Sequence, residues 1–80
     1  MQAERQTEQH VSVRIIDLAC GGGAQAVERA LAQVPGVKDV YVNPLTEMAY
    51  LTLGREPIDG AAITHAIEQT GCRAGPFRAQ

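Results

Sequence analysis

Eighty residues fold as one domain, because dividing them would leave neither half enough interior for a core. At 45% hydrophobic and 20% charged residues the composition is globular, which argues against wholesale disorder and against a coiled coil. Nine acids against seven bases give a net charge of −2 with no basic block, and two Tyr, one Phe and no Trp leave little for base stacking, so no nucleic acid is expected as a partner.

Residues 1–9 are polar and aperiodic and read as a flexible leader ahead of a domain spanning 10–78. The leader lacks the apolar stretch of an export signal, and no apolar run approaches the roughly 20 residues that cross a bilayer, so a cytoplasmic location without membrane insertion is expected. Val11, Val13 and Ile15 alternate with Ser12 and Arg14 as in a half-buried strand, while Ile16 and Leu18 shift the apolar parity and suggest a bulge near Asp17. Val27, Ala30, Leu31 and Val34 fall at helical spacing opposite Glu28, Arg29 and Gln33, and Pro35-Gly36 closes that helix. Val37 to Asn43, with Val40 and Val42 on one face, turns through Asn43-Pro44-Leu45-Thr46 into a strand carrying Ala49, Leu51 and Leu53. Pro57 and Asp59 open a second helix, with Asp59 as its cap, Ile63, Ala66, Ile67 and Thr70 on its inner face and Gly71 at its end. A short strand from Cys72 to Phe77 completes the chain.

The order β-α-β-β-α-β predicts an α+β, ferredoxin-like sandwich: a four-stranded antiparallel sheet with two helices on one face. Many unrelated functions share that fold, so function is sought in the loops. The segment Asp17-Leu18-Ala19-Cys20-Gly21-Gly22-Gly23-Ala24 holds the unusual chemistry. Its glycines allow backbone amides to face the loop and the helix start adds partial positive charge, a setting that favours a thiolate, the form that binds soft metals. Neither the Lys-Ser/Thr of a phosphate loop nor a full G-x-G-x-x-G spacing accompanies the glycines, which argues against nucleotide binding.

Beyond that loop the sequence carries Val27-Glu28 and Leu31, the turn Val34-Pro35-Gly36-Val37, then Val40-Tyr41-Val42-Asn43, Thr46-Glu47 with Ala49, Ile63, Ala66-Ile67 and Gly71. On these residues the segment from about Val11 to Phe77 resembles the heavy-metal-associated domain of copper chaperones and of the N-terminal regions of copper-transporting P-type ATPases. The resemblance implies a non-enzymatic metallochaperone or transfer module, Cu(I) or another soft ion as cargo, and a copper-transporting ATPase or other metal-handling protein as partner. It also implies docking through the metal-loop face, where Asp17, Ala19, Gly21, Gln25 and Arg73 are the neighbouring residues. The family loop reads Met-x-Cys-x-x-Cys. Here Leu18 replaces the Met, Cys20 keeps the first thiol, and Gly23 stands where the second belongs. Cys72 occupies a position where the family usually has Tyr or Lys, in a loop leaning over the metal loop, so a rearranged metal site of Cys20 and Cys72 is expected.

Other readings stay open. Cys20 and Cys72 are each also small hydrophobes that cores accept, and Cys72 in particular could pack against Leu18. The fold could serve protein interaction or regulation after losing its metal, or the two cysteines could form a redox-sensing disulfide. Within the metal class, Cys20 from each of two molecules could complete a metal-bridged homodimer. His10 and His65 are expected in solvent rather than on a metal, Asp17 is a solvated turn residue or a tuner of the loop's charge, and no set of groups suited to catalysis gathers.

Overall fold

The computed structural model describes residues 8–20, 22–54 and 59–79. Its elements are β1 (Gln9–Ile16), a single 3-10 turn (Leu18–Cys20), α1 (Ala24–Ala32), β2 (Val37–Asn43), β3 (Met48–Leu53), α2 (Gly60–Glu68) and β4 (Arg73–Ala79). The four strands form one antiparallel sheet in the order β2-β3-β1-β4, the ferredoxin-like sandwich expected from the element order. The leader read over 1–9 falls mostly outside the described residues; Gln9 already pairs with Leu53, and Glu8 accepts a hydrogen bond from Lys38 at 3.1 Å.

The alternation in β1 does what its period requires. Val11, Val13 and Ile15 face the helices, Val13 sits opposite Ala49 and Val11 opposite Leu51, and Val13 and Ile15 are fully buried. Across the sheet the core adds Val42, Leu51 and Leu53; the helices contribute Val27 and Leu31 from α1 and Ile63 and Ile67 from α2. Each such aliphatic side chain taken fully out of water is worth about 1.5–3 kcal/mol before the cost of ordering it. The acid Glu28 has a structural task besides solubility: its Oε2 accepts the Val42 N–H at 2.8 Å, covering a donor on β2, an edge of the sheet.

Three expectations need adjustment. The register shift in the β1–β4 pairing lies between Val13 and Ile15, where the partners run from Phe77 to Ala74, so Arg14 faces both Gly75 and Pro76. Pro76 has no N–H to offer the ladder, which is why the extra residue sits in β4 rather than near Asp17. Val34 is buried beyond the end of α1, in the turn where its N–H reaches Leu31 O at 3.1 Å. Thr70 likewise follows α2 rather than lining it. Asp59 is the cap as expected, its Oδ1 accepting from Ala61 N–H at 3.0 Å, whereas Pro57 lies outside the described residues.

Candidate metal centre

β1 ends at Ile16, and Asp17 swings the chain out of the sheet at φ 65, a left-handed conformation that Asp tolerates better than most residues. Leu18 then turns back into the core, 4% exposed, and anchors the 3-10 turn whose last residue is Cys20. Gly23 is the residue before α1 and holds φ 90, ψ 177, a region open in practice only to glycine. Position 23 is therefore occupied by the one residue type that this backbone accepts without strain.

Two contacts fasten this loop to the turn between α2 and β4. The Gly22 N–H donates to Thr70 O at 3.0 Å, and Asp17 Oδ2 lies 3.4 Å from Arg73 Nε. The Thr70 carbonyl is fixed from behind, because its own hydroxyl donates to Ile67 O at 2.6 Å and its N–H to the same oxygen at 3.1 Å. Gly71, at φ 92, reverses the chain and delivers Cys72. The ion pair is exposed, its side chains 68% and 50% accessible, so by itself it is worth at most about 1 kcal/mol. The backbone bond of Gly22 is the firmer tie. It has no signal in the sequence, since the helical spacing puts Thr70 on a helix face and a carbonyl acceptor carries no side-chain signature.

Cys72 is 2% exposed and belongs to the core cluster that also contains Leu18. Of the two cysteines expected to form the site, Cys72 thus lies inside the core. A thiol is small and weakly polar, and β4 joins the sheet immediately after it, so burial costs little. Of the docking candidates, Asp17, Ala19, Gln25 and Arg73 are exposed and Gly21 lies outside the described residues. A hollow of about 260 Å³ opens beside them, lined by Leu18, Ala19, Gly23, Ala24, Pro44 and Glu47.

His10 and His65 are exposed and engaged elsewhere: His10 Nδ1 is 3.5 Å from Thr52 Oγ1, and His65 Nε2 is 2.9 Å from Gln69 Nε2. Among the described residues no group of three or more His, Cys, Asp or Glu side chains converges.

The sequence model of the heavy-metal-associated domain matches residues 12–72. The chain is 41% identical over 54 residues to "Copper-transporting ATPase 2" of Rhizobium meliloti, covering 68% of this chain and 6% of the ATPase. It is 33% identical over 73 residues to the "Copper chaperone for superoxide dismutase, chloroplastic/cytosolic" of Arabidopsis thaliana, covering 91% of this chain and 22% of the chaperone. It thus spans only a small part of these curated relatives. Among solved structures, the N-terminal domain of PacS from Synechocystis superposes with a TM-score of 0.65 at 31% identity, covering 90% of this chain and 97% of that one. With the fold and these matches in agreement, the chain belongs to the heavy-metal-associated domain family.

Proposed function

We propose that this domain binds Cu(I) through the thiolates of Cys20 and Cys72 and passes it, by exchange of thiolate ligands, to a copper-transporting ATPase or another metal-handling protein. The domain acts as a carrier and not as an enzyme, and the reducing cytoplasm is the compartment that keeps both thiols available. The observation that carries the reading is the double tie of the Cys20 loop to the turn bearing Cys72, set in a domain whose relatives include copper-transporting ATPases and a copper chaperone. Metal–sulfur bonds of about 2.3 Å put two ligating sulfurs roughly 4–5 Å apart, a span that two loops fastened together can supply. The exposed residues around the loop, Asp17, Ala19, Gln25 and Arg73, form the face toward the partner, and the adjacent hollow gives an incoming ligand loop room to approach.

Titration of the reduced protein with Cu(I) against a competing chelator tests this. One ion per chain is expected, Zn(II) should compete poorly, and Cys20→Ser should abolish binding. A Cys20→Ser protein that competes as well as the parent would remove the loop as the metal site.

The burial of Cys72 supports a second reading, in which this thiol is core packing. Cys20 then either joins the Cys20 of another molecule in a metal-bridged homodimer, or the domain serves as an interaction or regulatory module without transporting metal. Copper-dependent dimerisation in sedimentation is the mark of the former; loops that respond to alkylation but not to copper mark the latter.

A further inference from the structure

The two ties bracket both cysteines. Asp17 and Gly22 lie on either side of Cys20, and Thr70 and Arg73 lie on either side of Cys72. They also run in antiparallel sense, Asp17 to Arg73 and Gly22 to Thr70, which continues beyond the end of β1 the sense of the β1–β4 ladder, whose last pair is Ile16 with Arg73. An antiparallel pairing opposes residues at short range. The loop and the turn are thus fastened at two points beyond the end of the ladder, and each point lies within three residues of a cysteine on both segments.

Glycine at position 22 is what permits the close approach. A Cβ added there would lie 2.7 Å from Ala26 Cβ, on the first turns of α1, and 3.9 Å from Thr70 O. Any side chain larger than hydrogen forces the loop that carries the Gly22 amide and the first turns of α1 to shift relative to one another.

Resting on the reading that Cys20 and Cys72 share one ion, we infer that Gly22, Thr70 and Arg73 are positioning residues that set the separation of the two thiolates, so that Cu(I) is held within one chain instead of bridging two. The ties ligate nothing themselves. They fix the loop in advance, so that binding the ion does not have to order it, which is how groups outside the ligand set govern metal affinity.

The test is a set of reduced, full-chain variants titrated with Cu(I) against a chelator and followed by sedimentation, with thermal unfolding measured in parallel. Gly22→Ala should lose about 10- to 100-fold in affinity, the range found when groups supporting metal ligands are removed, and should shift toward a copper-bridged dimer. Adding Ala26→Gly to it clears the 2.7 Å conflict and should return monomeric binding at the parent's affinity. Ala26→Gly alone should lower Tm, as glycine does within a helix, and leave binding unchanged, so that stability and affinity move separately. Arg73→Gln, in an exposed pair whose loss leaves the fold intact, should weaken binding in the same direction by less. Parent affinity and a monomeric complex in both Gly22→Ala and Arg73→Gln overturn the inference while leaving copper binding standing. A parent indifferent to Cys20→Ser overturns the metal reading and this inference with it.

Discussion

Position 23 offers the sharpest test of how far the loop's backbone restricts which residue can stand there. Gly23 holds φ 90 and ψ 177, and a Cβ built on it meets nothing within 4 Å. A side chain there has room, so the cost of adding one is that of the backbone conformation alone. Strained non-glycine conformations of this kind cost about 1–3 kcal/mol, and the loss of unfolded-state freedom on replacing glycine gives back about 0.4–1 kcal/mol. The net destabilisation of Gly23→Ala is therefore about 1–2 kcal/mol. In a domain of this size each kcal/mol moves Tm by roughly 4–8 °C, so the metal-free, reduced variant should melt roughly 5–15 °C below the parent. Gly23→Cys carries the same backbone cost but restores the Cys-x-x-Cys spacing, so Cu(I) should raise its Tm strongly, by the binding free energy of an ion that only the folded state holds. Gly23→Ala should gain from copper no more than the parent does. Circular dichroism melts with and without Cu(I) read all four quantities. A Gly23→Ala protein that melts with the parent would refute the argument, for the left-handed backbone would then be no constraint on which residue stands there.

Two further substitutions probe the surroundings. Cys72→Ser places a hydroxyl where a thiol is 2% exposed, and an unpartnered buried hydroxyl should cost about 1–3 kcal/mol in thermal or urea unfolding; the same variant should lose most of its Cu(I) affinity if Cys72 is a ligand, whereas unchanged affinity with copper-dependent dimerisation would assign it to packing alone. Asp59→Ala removes the acceptor that holds Ala61 N–H at 3.0 Å and should cost about 1 kcal/mol, visible as a lower Tm with Cu(I) affinity intact because the cap lies at the end of α2 away from Thr70.

How much of this was legible in the sequence depends on what kind of signal each feature leaves. Alternation at Val11, Val13 and Ile15 and helical spacing at Val27 and Leu31 express directly which side chains leave water, and the fold follows from them. The parity change at Ile16 and Leu18 was equally visible but ambiguous, since a bulge and a turn both reverse the buried face. The chain turns at Asp17, and the bulge appears in β4, where Pro76 lacks a donor. At the candidate site Cys20 stood out by its glycine-rich setting, while the tie from Gly22 to Thr70 left no trace, because both of its partners are backbone groups. The burial of Cys72 was legible only as one of two alternatives, since a small thiol after Gly71 suits either packing against Leu18 or a ligand position, and the chain takes it into the core. Both features bear on the same question. Gly23 holds a backbone conformation that strains any other residue, and the same loop is tied through Gly22 to the turn that carries Cys72. If the second thiolate is Cys72, the metal site is deeper and more dependent on the core than a surface Cys-x-x-Cys pair. Copper release should then be sensitive to substitutions at Leu18, the loop residue that belongs with Cys72 to the buried core cluster.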